Sequence, residues 1–270
     1  MKSILLHVND DHAQNDRLEV ALDLARAHSA HLTCVQALRF DIYLSSDAMS
    51  GFYGYSMLFD AIRSNAAEAR RRIEKRLQAE GMSWTFEHYD GDPAQVLVSH
   101  ARLADLIVVS RGDADHGDRP GPLPIAANVA ISARSPVLVV PPRQATFRSD
   151  GPVAIAWNGS IEAAHSLRLT LPQLRLASEV HLITVDDDAD EFPATDGSRY
   201  LSLHGISSEL HQCRSDHRKI AETLLAKAEA LHATCLVMGA YGHSRLRETV
   251  LGGVTRDLLA GSPIPLILAH

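Results

Sequence analysis

The sequence predicts an α/β protein made of two tandem doubly wound domains, each with a five-stranded parallel sheet flanked by helices. Short apolar runs alternate with amphipathic segments of helical spacing, and this order occurs twice along the 270 residues. Such alternation indicates parallel strands, because right-handed crossover connections place helices on both faces of a sheet. Each half is therefore expected to run β-α-β-α-β-α-β-α-β.

The two halves open with matching strands. SILLHVND at residues 3–10 corresponds to PVAIAWNG at residues 152–159, and each run ends in small polar residues, as a buried parallel strand does before a helix. A strand over residues 31–36 follows the first helix. That helix has an apolar face formed by Leu18, Ala21, Leu22 and Ala25.

The first helix of the second half carries its own start and stop signals. Ser160 is expected to cap it, because a serine oxygen accepts a hydrogen bond from a free N–H of the first turn. Ala163, Leu167 and Leu171 continue the apolar side. Pro172 is expected to bend or break the helix, since proline cannot donate the backbone hydrogen bond.

The later strands also match between the halves. ADLIVVS at residues 104–110 corresponds to ATCLVMG at 233–239, and SPVLVVPP at 135–142 corresponds to PIPLILAH at 263–270. The helix before ATCLVMG is predicted to bury a stripe formed by Ile220, Leu224, Ala228 and Leu231.

A proline-containing polar segment separates the halves. PPRQATFRSDG at residues 141–151 is the natural linker, which places the domains at residues 1–142 and 151–270. The first half also has an insertion at residues 41–57 that the second half shortens. Its aromatic residues could form a lid or an interface, and a packed surface loop is an equal alternative.

The composition excludes several functional classes. A net charge of −7 argues against broad nucleic-acid binding, and the basic run at residues 70–76 is interleaved with glutamates, as on a solvated helix face. The apolar run at the N-terminus is too short for a signal peptide, and no segment is apolar enough to span a membrane. Three distant cysteines fit a reducing compartment, so we expect a cytoplasmic protein.

One glycine-rich stretch carries the functional signal. GAYGHSRLRETVLGGVT at residues 239–255 has the spacing G-x2-G-x9-G between a predicted strand and a predicted helix. A loop there exposes backbone N–H groups and the positive end of a helix dipole, which attract phosphate. Gly239 and Gly242 can take positive φ and let an anion approach, as can Gly252 and Gly253 at the helix start. The P-loop and dinucleotide-fold patterns are absent from the sequence.

These residues resemble the universal stress protein family in its tandem two-domain form. The similarity covers nearly the whole chain and is strongest at GAYGHSRLRETVLGG, with AWNGSIEAA and the terminal SPIPLILAH adding to it. The resemblance implies the strand order 3-2-1-4-5, with ATP, together with Mg²⁺ if one is bound, across the ends of strands 1 and 4. It also implies that the last strands pair the two halves within one chain, with a homodimer as a further partner state.

The resemblance assigns a set of nucleotide contacts in the second half. They are Trp157, Asn158, Val185, Gly239, Ala240, Gly242, His243, Arg245, Gly252, Gly253, Val254 and Thr255. Two positions depart from the family pattern. Gly253 stands where the family has Ser or Thr, which removes a hydroxyl contact to phosphate, and Asn158 stands where it has an acidic residue.

The first half has lost the glycine loop. Aligned without a gap, Gly239 becomes Ser110, Gly242 becomes Asp113, and the two later glycines become Leu123 and Pro124. Three prolines remove N–H donors, and three aspartates place negative charge where phosphate would lie. Arg111, His116 and Arg119 are expected to neutralise these aspartates. The first domain is therefore predicted to have the fold without the site.

Three other functions stay open beside a nucleotide sensor. The sequence has no kinase-like set of catalytic residues, so dedicated catalysis is not expected, although slow ATP hydrolysis remains an alternative. A protein-interaction scaffold without nucleotide is another. A metal role finds no HExxH or Cys/His motif, and Asp186, Asp187 and Asp188 are interpreted as a solvated acidic loop rather than a magnesium site.

Overall fold

The structure, a computed structural model, describes residues 1–39, 52–111, 124–144, 146–186, 192–240 and 253–270, with the backbone alone for residues 52–56. The predicted insertion at residues 41–57 is described only from residue 52, where a long helix begins. Most of both predicted loops, in the first half and in the second, lies outside the described residues.

The first half has the predicted alternation of strands and helices. Its elements are β1 (Ser3–Val8), α1 (Gln14–His28), β2 (His31–Leu38), α2 (Phe52–Glu80), β3 (Trp84–Asp90), α3 (Pro93–His100), β4 (Leu106–Ser110), α4 (Ile125–Ser132) and β5 (Val137–Val140).

The second half repeats this order with one helix split in two. Its elements are β6 (Val153–Ala156), α5 (Ile161–Leu169), α6 (Leu171–Leu174), β7 (Val180–Val185), α7 (Ala194–Leu203), β8 (Glu209–Cys213), α8 (Ile220–Ala230), β9 (Cys235–Gly239), α9 (Gly253–Gly261) and β10 (Leu266–Ala269).

The ten strands of the described residues form one continuous sheet. The order is β3-β2-β1-β4-β5-β10-β9-β6-β7-β8, so each half has the expected order 3-2-1-4-5. The halves join where β5 and β10 pair antiparallel, with Val139 opposite Leu266 and Val137 opposite Leu268. The other neighbours pair parallel. The pairing that the resemblance implies for the last strands is thus made within one chain.

The bounds of the later strands agree with the ungapped alignment of the halves. A shift of 129 positions takes β4 onto β9 and β5 onto β10 at both ends of each strand. The loop between them consequently has the same length in both halves. Differences at this edge of the sheet therefore arise from side chains rather than from insertions.

Local signals in the second half have the predicted effects. The Ser160 hydroxyl oxygen accepts a hydrogen bond from the Ala163 N–H at 3.1 Å and caps α5. Helix α5 ends at Leu169, and Pro172 lies in the first turn of α6. The stripe predicted for α8 is wrong at its start, because Ile220 is 41% exposed and the neighbouring Ala221 is buried instead. Ile220 is the first residue of the helix, where its side chain does not yet face the sheet.

The basic segment of α2 is a solvated face, as predicted. Arg70 pairs with Glu74, and Arg76 contacts Glu80 on the same helix and Glu19 on α1. Among the described residues, no helix is both long and apolar enough to cross a membrane.

Candidate functional site

The candidate site lies at the carboxyl ends of β6 and β9, where the strand order of the second half reverses. Ala156 pairs with Met238 at this edge, and α5 begins a few residues beyond β6. In doubly wound sheets ligands bind at such a switch point. The exposed Asn158 starts the connection, and its Oδ1 accepts a hydrogen bond from the Ser160 N–H at 3.2 Å. Asn158 therefore shapes the turn into α5 through its side-chain oxygen.

Gly239 is required by helix packing. A Cβ placed there would lie 2.5 Å from the backbone N of Ala163 and 2.5 Å from the backbone C of Glu162. Its φ is not in the positive range, so the freedom of glycine to take positive φ is not used at this position. The glycine lets the first turn of α5 rest directly on the end of β9, as glycine does at close contacts between a helix and a strand.

The backbone of Ala240 is fully engaged. Its N–H donates to the Ala269 carbonyl at 2.8 Å, and its carbonyl lies 3.0 Å from His270 Nδ1. The His270 carbonyl in turn lies 2.9 Å from His165 Nδ1 on α5. The alanine itself is completely buried. These hydrogen bonds fix the position at which the chain leaves β9. The sequence carries no signal for them, because the residues that form them are far apart in the chain.

Trp157 and Val185 point into the protein. Trp157 is 3% exposed, and its indole Nε1–H donates to the Phe192 carbonyl at 3.2 Å, with the two rings 5.8 Å apart. Gly197 on α7 gives this indole its space. Val185 is half-buried at the end of β7. These two side chains shape the core beneath the edge, whereas Asn158 is the exposed one.

The start of α9 has open space around it as far as the described residues show. Gly253 is its first residue, and no described atom lies within 4 Å of the Cβ that a substitution would add. Val254 is half-buried, and Thr255 is 4% exposed on the inner face of the helix. The predicted contacts Gly242, His243, Arg245 and Gly252 lie outside the described residues.

Asp186 ends β7 in a left-handed turn, with φ of 48°. Its Oδ1 accepts a hydrogen bond from the Ser215 N–H at 3.0 Å. Hydrogen bonding with Ser215, aided by the charge of Arg214, lowers the pKa of Asp186. This carboxylate is thus ionised and committed to the loop after β8, while Asp187 and Asp188 lie outside the described residues.

A buried arginine occupies the same place in the first half. Arg17 on α1 is 1% exposed, and its Nε–H donates to the His7 carbonyl at 2.7 Å. One Nη donates to Ser110 Oγ at 2.7 Å, and the other donates to Gln14 at 2.9 Å and pairs with Asp11 at 3.2 Å. The guanidinium therefore joins the ends of β1 and β4, where a ligand of this fold would lie.

The charge of Arg17 also affects its neighbour. His7 is buried, and its Nε2 has no hydrogen-bond partner among the described residues. Burial, with the Arg17 charge adding to it, lowers the pKa of His7 to about 3. Sequence reasoning missed both residues, because an arginine in an amphipathic helix is normally exposed.

Arg111 makes a contact that the sequence did not indicate. Its Nη1 donates to the carbonyl of Ser262 at the end of α9, at 2.9 Å, and thereby links the first half to the second. The aspartates that it is expected to neutralise lie outside the described residues. The expected partners His116 and Arg119 lie outside the described residues.

Comparisons with known proteins agree with this architecture. The model of the universal stress protein family matches the chain at residues 1–141 and again at 152–270. A universal stress protein from Archaeoglobus fulgidus DSM 4304 has a similar structure, with a TM-score of 0.78, 17% identity, and coverage of 99% of this chain and 96% of that chain. A protein of unknown function from Pseudomonas aeruginosa PAO1 follows at a TM-score of 0.65 and 16% identity, covering 100% and 92%. At these identities the likeness is one of fold, and a sequence search of the curated proteins finds no match.

Proposed function

Because the chain belongs to the universal stress protein family, with one match in each half, we propose that its second half binds ATP or a related adenine nucleotide. The protein would act in the stress response as a sensor or regulatory module rather than as a dedicated catalyst. The first half would hold the fold and pair with the second through β5 and β10.

One asymmetry carries the proposal. The G-x2-G-x9-G stretch runs from the end of β9 into α9 at the carboxyl edge of the sheet. At the corresponding place in the first half, the chain supplies its own cation, Arg17, to the ends of β1 and β4. A site filled by the protein needs no ligand there, whereas the second half keeps glycine and an exposed helix start.

The described groups give the nucleotide specific partners. The Gly253 end of α9 would present the N–H groups of its first turn and a positive dipole end to phosphate. Asn158 supplies an exposed amide for the ribose or base. A Mg²⁺ ion would be held chiefly by the phosphates and water, as is usual for this ion, because Asp186 already accepts a hydrogen bond from Ser215.

Nucleotide binding is tested on the purified full chain. Heat-released ligand is identified by absorbance and chromatography, and thermal unfolding is followed with added ATP. At 100-fold excess over Kd, ATP should stabilise the protein by about 2.7 kcal/mol. Gly242→Asp, which copies Asp113 of the first half, should abolish this shift because it places a negative charge in the loop.

Two further variants test which half of the chain is responsible for the ATP-induced thermal shift. Gly117→Asp puts the same charge into the first-half loop and should leave the ATP shift unchanged. Gly253→Ser restores the family hydroxyl at a position with open space and should strengthen binding. If no nucleotide is released and ATP produces no shift, the scaffold alternative replaces the proposal. Multiple-turnover release of phosphate would instead make the protein a slow ATPase.

A further inference from the structure

Three metal-ligating side chains meet near the amino ends of β7 and β8, away from the edge at which the nucleotide is proposed. His181 on β7 pairs in register with Glu209 on β8, and His211 follows two residues later on the same face of the strand. We propose that His181, Glu209 and His211 bind a divalent transition metal ion of the Zn²⁺ type.

The spacing of the ligand atoms fits such an ion. His181 Nδ1 and His211 Nε2 lie 3.2 Å apart, and Glu209 Oε2 lies 3.7 Å from each of them. The circle through three points at these separations has a radius of about 2.1 Å, which is the length of Zn–N and Zn–O bonds. An ion at equal distance from the three ligand atoms would therefore lie at bonding distance from each of them. Small rotations of the exposed Glu209 side chain would complete the geometry.

The surroundings of the His181 ring also favour a ligand role. Its ring is 2% exposed, and among the described residues the buried Nε2 has no hydrogen-bond partner, although Glu179 Oε2 lies 3.3 Å away. A small rotation of the exposed Glu179 side chain would let it accept a hydrogen bond from Nε2, which leaves Nδ1 for the ion. A carboxylate behind the second ring nitrogen is the usual support of a metal-binding histidine.

The charged side chains around the cluster carry more negative than positive charge, which favours a bound cation. Glu209 and Glu179 supply two carboxylates, and Lys227 on α8 supplies the opposing charge near His211. Glu209 Oε2 lies 3.7 Å from both imidazole nitrogens, so the cluster itself offers a negative charge to a cation.

The fold itself does not require this cluster. At the same register in the first half, Thr33 on β2 pairs with Thr85 on β3, and their hydroxyls lie 3.5 Å apart. Two threonines thus stand at the places of His181 and Glu209 in a sheet of the same topology. The two imidazoles and the carboxylate are a property of the second half alone.

The ligand set indicates the kind of metal. Two histidines and one glutamate are a zinc set that leaves a fourth position for water. Imidazole ligands favour Zn²⁺, Ni²⁺ and Cu²⁺ over Mg²⁺ and Ca²⁺, which prefer oxygen. A metal ion would enter from the side of the edge strand β8, where the Glu209 side chain is 73% exposed.

The test is a Zn²⁺ titration of the untagged full chain against a chromophoric chelator, in buffer without nucleotide or Mg²⁺. We expect one chelator-resistant ion per chain, with Co²⁺ giving the visible spectrum of a tetrahedral site. Glu209→Gln and His211→Asn should each weaken Zn²⁺ binding by roughly 100-fold or more, because loss of even an outer-shell group typically costs 10–100-fold.

Matched variants separate this site from the other histidines. His217→Asn removes an exposed imidazole outside the cluster, at a left-handed position that asparagine tolerates, and should leave Zn²⁺ affinity unchanged. Lys227→Gln removes the opposing charge and should leave the affinity equal or raise it. Circular dichroism confirms that each variant is folded. Zn²⁺ affinity in Glu209→Gln and His211→Asn equal to that of the unmodified chain, or no one-to-one binding at all, would overturn the proposal whatever the outcome with ATP.

Discussion

The two halves solve the same packing problem in opposite ways at the ends of their first and fourth strands. In the first half, the side chain of Arg17 lies between α1 and the strand ends and hydrogen-bonds the His7 carbonyl and Ser110. In the second half, the backbone of α5 rests directly on Gly239, with no room for a Cβ. One half uses a long cation as a spacer, and the other uses the smallest residue.

This difference shows how a repeated fold can vary the chemistry at one edge of its sheet. The strand register and the loop length are the same in both halves, so the chemistry at this edge depends on a few side chains. The buried guanidinium of the first half donates hydrogen bonds to the acceptors at the strand ends. The glycine of the second half supplies no side chain to this edge. Three predictions test this contrast, beginning with the largest expected effect.

Replacing Arg17 should destabilise the protein most. Arg17→Met keeps much of the side-chain volume but removes the donors to two acceptors, namely the buried His7 carbonyl and the half-buried Ser110 hydroxyl. Each such loss costs about 1–3 kcal/mol, so we expect a decrease of about 3 kcal/mol in the free energy of unfolding. Urea denaturation measures it.

An exposed arginine on the same helix is the control. Arg26 pairs with Asp23 and Glu80 at the surface, and Arg26→Met should cost less than about 1 kcal/mol. If the Arg17 and Arg26 variants lose the same stability, the guanidinium of Arg17 is not holding the strand ends together.

The glycine contact gives the second prediction. Gly239→Ala places a methyl group 2.5 Å from the α5 backbone, which cannot move without shifting the helix. Overpacking of this kind costs about 1–3 kcal/mol of unfolding free energy. The matched change Gly253→Ala meets no described atom within 4 Å and should alter stability by less than about 1 kcal/mol. Equal losses in the two variants would remove the packing role assigned to Gly239.

Much of the fold could be predicted from the sequence because its signals are local. The apolar runs gave the strands, and Ser160 and Pro172 gave the start and the break of the α5–α6 segment. The family resemblance supplied the strand order and the pairing of the last strands. Ile220 was misplaced because helical spacing alone does not show where the first turn begins to face the sheet.

The chemistry of the candidate sites was harder to predict because it depends on contacts between distant residues. For Gly239 the structure adds a reason that the sequence did not indicate, since the first turn of α5 lies where its Cβ would be. Arg17 resembled a surface residue until its partners were located. His181 and His211 are separated by a helix and a loop in sequence and meet only because β7 and β8 are adjacent.

The effect that is smallest at neutral pH concerns acid stability and again separates the halves. His7 in the first half corresponds to Ala156 in the second, and burial beside Arg17 lowers the pKa of His7 to about 3. The unfolded chain takes up this proton near pH 6.5 and the folded protein does not, so the free energy of unfolding falls as the pH is lowered from 6.5 towards 3. The contribution is about 1.4 kcal/mol per pH unit.

Urea denaturation at several pH values gives the slope of the free energy of unfolding against pH. This slope should be shallower by that amount in His7→Ala, which copies the second half, while His217→Asn keeps the slope of the unmodified chain. The same slope in all three proteins would show that His7 is protonated in the folded state and that the Arg17 site is less closed to water than its contacts indicate.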